Sequence, residues 1–165
     1  MRWMVALASL LVLGAAVAAP SLGQSSGGTL TKAQVIQQGS KICRAGEAKV
    51  NRLPQITSQN PFAKSAPAGD AQRAIAFLAG YANALAGVRA GLAQLQPPAP
   101  GRALFEGFVR DLGPTIATFR RARGEALAHK YDAAMSDVQK AFGRFEQASK
   151  ETEAYGFPKG VCQAG

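Results

Sequence analysis

The chain ends in the stretch EAYGFPKGVCQAG, residues 153–165, which stops a helix and then presents a cysteine. Gly156 stands where a left-handed helix cap is wanted, Phe157 can supply the hydrophobic contact of that cap, and Pro158 cannot continue the helix. Cys162 is one of only two cysteines in the chain. The stretch therefore predicts a tail that turns off the last helix and carries Cys162 back along the molecule.

The other end of the chain has the layout of a secretory signal. Arg2 precedes an apolar run, Val5 to Ala19, that is shorter than the roughly 20 residues a membrane-spanning helix needs. We expect residues 1–18 to be a signal peptide cleaved after Ala18. Cleavage after Ala19 and an uncleaved anchor are the alternatives. The mature protein is then exported, periplasmic or extracellular, with no transmembrane segment after cleavage.

Four apolar stripes at helical spacing follow a Gly/Ser-rich leader predicted over residues 19–30. Thr31 and Gln34 form a capping-box pattern at the first stripe. No segment alternates with period two. The class is therefore all-α, an antiparallel four-helix up-down bundle over residues 31–165, its tail pinned by a disulfide. The helices are expected near residues 31–53, 70–96, 102–129 and 132–155.

The third stripe contains a proline and the first stripe contains two glycines. Pro114 lies inside the third stripe, so we expect a kink there and not an end. The third helix ends at Gly124 or at His129, and His129 is preferred because it makes the helices similar in length. Gly39 and Gly46 lie on the first stripe, where they leave room for close approach of a neighbouring backbone.

Cys43, the other cysteine of the chain, is the residue that the returning tail is expected to reach. Cys43 lies twelve residues beyond Thr31, about 18 Å along a helix that rises 1.5 Å per residue. The seven residues 156–162 reach about 23 Å when extended, and the fourth helix of an up-down bundle ends beside the start of the first. Since paired cysteines are common in exported chains, we expect a Cys43–Cys162 disulfide. Free thiols or an intermolecular bridge are the alternatives.

These residues also carry a resemblance to other proteins. Cys43 in the first helix, a Pro-Pro link between the middle helices, and a closing Tyr155-Gly156-Phe157 followed by Cys162 resemble a class of uncharacterised small exported helical proteins and lipoproteins of GC-rich bacteria. The resemblance implies an exported helical domain and no particular activity. The lipidated cysteine of some members has no counterpart here.

The net charge of +9 is concentrated in the first half of the chain. Residues 31–96 hold eight Lys or Arg and two acids. A cationic exported protein is attracted to acidic envelope proteins or anionic polymers, although solvated helix faces give the same composition. Nucleic acid is not an expected partner, because the basic residues are not interleaved with aromatic ones. The candidate contacts with an acidic partner are Lys41, Arg44, Lys49, Arg52, Arg120, Arg121 and Arg123.

Residue patterns for catalysis or cofactor binding are weak. Glu125 and His129 lie one turn apart, but a di-iron bundle needs Glu-x-x-His twice and two more glutamates. A nucleophile elbow and a Gly-rich phosphate loop after a strand are both missing from the sequence. We therefore expect no catalytic residues, metal ligands or cofactor. The tyrosines, Tyr81, Tyr131 and Tyr155, fit core-edge packing.

The function that these patterns favour is an exported, non-enzymatic interaction or structural module of the bacterial cell envelope. One alternative is a small-molecule or metal carrier that uses the space left by Gly39 and Gly46 in the bundle core. Another is an envelope chaperone, which rests on the basic helical character alone. An enzyme is the weakest of the four hypotheses.

Overall fold

A computed structural model describes residues 28–162 of the chain. These residues form no strand and four helices: α1 (Lys32–Val50), α2 (Asp70–Leu92), α3 (Arg102–Leu127) and α4 (Tyr131–Tyr155). Each helix packs against the next one along the chain. The predicted all-α four-helix bundle is confirmed. The predicted signal peptide, 1–18, and most of the leader lie outside the described residues.

The start of α1 follows from its local sequence. The Thr31 side chain accepts a hydrogen bond from the Gln34 N–H, and the Gln34 side chain accepts one from the Thr31 N–H, which completes the predicted capping box. The Leu30 N–H donates to the Gln96 carbonyl at 3.0 Å. The first residues of the described chain are thereby tied to the turn that follows α2.

The third helix runs unbroken through Pro114 and ends at Leu127. This end lies close to His129, the preferred of the two predicted ends, and beyond Gly124. His129 itself takes a left-handed conformation, with φ 58°. The Thr118 hydroxyl donates to the Pro114 carbonyl at 2.9 Å, inside the turn that follows the proline.

The apolar stripes of the four helices meet in one core. Tyr81 of α2 lies against two rings, with centroid distances of 4.8 Å to Phe119 of α3 and 5.5 Å to Phe142 of α4. Burying an apolar side chain of this size stabilises the fold by about 1.5–3 kcal/mol. On α4, Ala141 is fully buried and Phe142 is only partly buried.

The tail, residues 156–162, takes the place of a direct contact between α1 and α4. The backbones of these two helices do not pack against each other, unlike those of consecutive helices. Phe157 and Val161 of the tail are both buried in the core cluster. The bundle is therefore closed on its fourth side by the tail.

The 19-residue connection between α1 and α2, residues 51–69, crosses one end of the bundle. Phe62 stacks on Tyr131 at the start of α4, with ring centroids 4.9 Å apart. Asp70, the first residue of α2, is fully buried and accepts hydrogen bonds from the hydroxyls of Thr57 and Ser58. These contacts hold the proline-containing connection against the helices.

Candidate functional site

The tail leaves α4 through a Schellman turn. Gly156 has φ 110°, a conformation that favours glycine, and its N–H donates to the Glu153 carbonyl. The Phe157 N–H donates to the Thr152 carbonyl at 3.0 Å. The turn predicted from Gly156-Phe157-Pro158 is present, and it directs the chain back across α1.

The ring of Phe157 enters the space left by the missing side chain of Gly39. A Cβ at Gly39 would lie 2.7 Å from the Phe157 Cζ atom, too close for any side chain without displacement of the ring. The side chain of Val88 of α2 likewise occupies the space where a Cβ of residue 46 would lie, so only Gly46 leaves room for it. The sequence prediction that these glycines allow close backbone approach is therefore corrected: they accommodate side chains.

The disulfide fastens the end of the tail to α1. Cys43 and Cys162 are bonded, with Cα atoms 5.1 Å apart and both residues buried. The Ser149 hydroxyl of α4 donates to the Cys162 carbonyl at 3.2 Å. Cys162 is therefore joined to α1 by a covalent bond and to α4 by a hydrogen bond. The predicted Cys43–Cys162 disulfide is confirmed.

A pocket of about 190 Å³ lies beside the disulfide, between α1, α2 and the tail. Its walls are mainly apolar and include Val50, Leu85 and Val88 together with the two bonded cysteines. Glu47 and Asn51 line it as well and are exposed to solvent. The carrier hypothesis predicted free space at Gly39 and Gly46; Phe157 fills the first position, whereas the second borders this pocket.

Tyr81 is the buried polar residue among those that line the pocket. It is 7% exposed, and burial raises the pKa of its phenol to about 12. The hydroxyl is not among the described polar atoms that are sealed from solvent without a hydrogen-bond partner. Sequence analysis assigned Tyr81 to core-edge packing. Its position at a pocket depends on how α1, α2 and the tail meet, for which the sequence carried no signal.

The four candidate cations of α1 and the turn after it are all exposed. Lys41, Arg44, Lys49 and Arg52 make no ion pair with any described residue. A Cβ at Gly87 of α2 would lie 3.8 Å from the Lys49 ammonium, so Lys49 reaches over the outer face of α2. All four cations therefore lie along α1 and the turn after it and face solvent.

The three candidate cations of α3 differ in their partners. Arg121 forms an ion pair with Asp137 of α4, which is 4% exposed and also lies near Lys140. The Arg121 guanidinium lowers the pKa of the Asp137 carboxyl, because it donates a hydrogen bond to the charged form. Arg120 and Arg123 are exposed and make no ion pair with the described residues.

A groove between α2 and α3 places a further cation near Arg120. Arg89 lines this groove with Arg120, and small residues, Ala90 and Ala117 among them, form its floor. The Arg89 Nε donates to the Val109 carbonyl at 3.2 Å. Arg89 is not among the contacts predicted from the sequence, because a helical period does not give the axial offset between α2 and α3 that places Arg89 near Arg120.

The hydrogen-bond network around the carboxylate of Asp70 is a feature that the sequence did not indicate. Hydrogen bonds, first from Ser58 and then from Arg73 and Thr57, lower its pKa to about 2. The Arg73 guanidinium donates to it at 2.5 Å. Asp70 is sealed from solvent, so this network holds the connection between α1 and α2 and offers no surface to a partner.

The only histidine of the chain lies at the corner between α3 and α4. The His129 Nδ1 is 2.6 Å from the Tyr131 hydroxyl, and these two groups share a hydrogen bond. Over residues 28–162, no three His, Cys, Asp or Glu side chains cluster in a way that could hold a metal ion.

Two further observations concern the whole chain. By length and composition alone α2 could cross a membrane, a test that core helices also pass, and here it packs between α1 and α3. No protein-family model, curated protein or solved structure matches the sequence or fold. The resemblance to small exported proteins of GC-rich bacteria stays a prediction.

Proposed function

We propose that this protein is an exported, non-enzymatic interaction module that binds an acidic component of the cell envelope, an anionic polymer or an acidic protein. The observation that carries the proposal is the exposed group of cations Lys41, Arg44, Lys49 and Arg52, defined here as the α1 cationic face. None of the four has an ion-pair partner among residues 28–162. Their charges are therefore available to an external anion.

The charge distribution of the fold supports this assignment. The two buried acids among residues 28–162 are already paired within the protein, Asp70 with Arg73 and Asp137 with Arg121. Glu47 is the single acid of α1. Like-signed charges on one face raise the local concentration of oppositely charged partners and speed their association.

The stability of the fold also suits export. The tail is covalently fixed to α1, and disulfides persist in oxidising compartments such as the periplasm or the extracellular space. A small rigid bundle that presents a fixed cationic face is an adequate binding module without any catalytic group.

Retention of the purified protein on immobilised poly-glutamate, measured against salt concentration, tests the proposal. We expect retention at low salt and elution well below 1 M salt, where the screening length falls to about 3 Å. A variant that carries Glu at the four positions of the α1 cationic face should lose most of this retention.

The matched control carries Glu at four exposed lysines elsewhere, Lys64, Lys130, Lys150 and Lys159. It has the same net charge as the first variant and should keep more of the retention, because the α1 cationic face is intact. Equal losses in the two variants, or a wild-type protein that is not retained at low salt, would refute a localised binding face.

A further inference from the structure

We infer that the pocket beside the disulfide is a binding site for a small, uncharged, largely apolar molecule that accepts a hydrogen bond from the Tyr81 hydroxyl. This inference goes beyond the proposed function, because none of the residues that line the pocket belongs to the α1 cationic face and the ligand is of a different class. Binding of a small molecule and binding of an acidic partner can be measured independently.

The size of the pocket sets the size of the ligand. Its volume is about 190 Å³, and cavities of about 150 Å³ with aliphatic walls hold a benzene-sized molecule. The walls come from three parts of the fold: Val50 of α1, Leu85 and Val88 of α2, and Cys162 of the tail. Contact with these side chains removes apolar ligand surface from water.

Tyr81 gives the pocket a polar anchor. Its ring is fixed among three others, with centroids 5.5 Å from Phe77, 4.8 Å from Phe119 and 5.5 Å from Phe142. The residue is 7% exposed, and its hydroxyl is not among the described polar atoms that are sealed from solvent without a partner. Since Tyr81 lines the pocket, the hydroxyl is available to a ligand there. A donor that solvent reaches, set among mainly apolar walls, can fix the orientation of a ligand that carries an acceptor.

The lining residues also argue against anionic ligands. None of the described residues that line the pocket is Lys, Arg or His, so a buried anion would find no cationic partner. The one charged lining residue, Glu47, is exposed and repels anions. Burial raises the pKa of Tyr81 to about 12, so the phenol remains a neutral donor at physiological pH.

The test uses two probes of nearly equal shape, toluene and benzyl alcohol, and measures their dissociation constants by NMR titration of the oxidised protein. Wild-type protein should bind both. Tyr81→Phe should weaken benzyl alcohol binding about three- to tenfold, the range for one hydrogen bond, and leave toluene binding unchanged. Because this variant keeps the aromatic ring and its contacts, it should melt at the wild-type temperature.

A second pair of variants locates the probes. Ala84 lines the pocket and is buried, so Ala84→Leu should fill the space and weaken both probes at least tenfold. Ala76→Leu, on the exposed side of the same helix, should not affect either probe. If Ala84→Leu fails to fold, the Tyr81→Phe comparison decides alone. The inference is overturned if wild-type protein binds neither probe, or if Tyr81→Phe affects both equally.

Discussion

Replacing Cys162 with Ser should lower the melting temperature of this protein by about 10 °C. The disulfide joins residues separated by 119 positions, and chain-entropy models give about 5 kcal/mol for a ring of that size as an upper value. Native disulfides usually contribute about 2–4 kcal/mol. The unfolding entropy of roughly 135 ordered residues is about 0.28 kcal/mol/K, which converts these energies to about 7–14 °C, with an upper value of about 18 °C.

The structure also predicts where the loss should appear. Since the backbones of α1 and α4 do not pack against each other, a released tail leaves α1 supported mainly by α2. Phe157 should then leave the space at Gly39 more often. Hydrogen exchange should increase over residues 32–50 and 156–162 more than over α3 and α4.

Thermal melting by circular dichroism and hydrogen exchange by mass spectrometry measure the two effects. Cys43→Ser should match Cys162→Ser, since either change breaks the same bond. Ser149→Ala keeps the disulfide but removes the hydroxyl that lies between the Phe145 and Cys162 carbonyls, and it should cost about 1 kcal/mol. Equal melting of wild-type protein with and without reductant would contradict the reasoning, as would a uniform rise in exchange across all four helices.

Two further predictions concern the tail and the connection between α1 and α2. Gly39→Ala should destabilise the protein by about 1–3 kcal/mol, because the added Cβ meets the Phe157 ring. In a double-mutant cycle measured by urea unfolding, Gly39→Ala should cost much less when Phe157 is already replaced by Ala. Gly124→Ala is the control, because a Cβ at this position meets nothing within 4 Å, and it should stabilise the protein slightly. If both substitutions change stability equally, the contact between residue 39 and the Phe157 ring does not explain the effect. Asp70→Asn should lower the free energy of unfolding at pH 7. Between about pH 4 and pH 2 the variant should then lose less stability than the wild-type protein does. The pKa of Asp70 is about 2 in the folded protein, below the usual value of 3.8 for an aspartate. The charged carboxyl therefore stabilises the fold above the unfolded-state pKa, and this stabilisation is lost as pH falls through the folded-state pKa. Melting temperatures measured from pH 2 to pH 7 test this prediction, and Asp132→Asn, at an exposed acid, is the control. The prediction is wrong if the melting temperatures of the two variants depend on pH in the same way.

The sequence by itself determined the elements of this fold. Helical period, the Thr31–Gln34 capping box and the Gly156-Phe157-Pro158 turn act over a few residues, so the local sequence is sufficient to predict them. The disulfide was predictable for a simpler reason: only one intramolecular pairing exists for two cysteines, and the reach of the tail allows it.

Only the tertiary structure decided which side chains from different helices meet. The ion pair of Arg121 with Asp137, the entry of Phe157 at Gly39, and the position of Tyr81 at a pocket all depend on the axial offset and rotation between packed elements. A helical period fixes which face of a helix is buried, but it leaves that offset undetermined. The offset follows from how side chains of unequal size interdigitate once the helices and the tail are packed together.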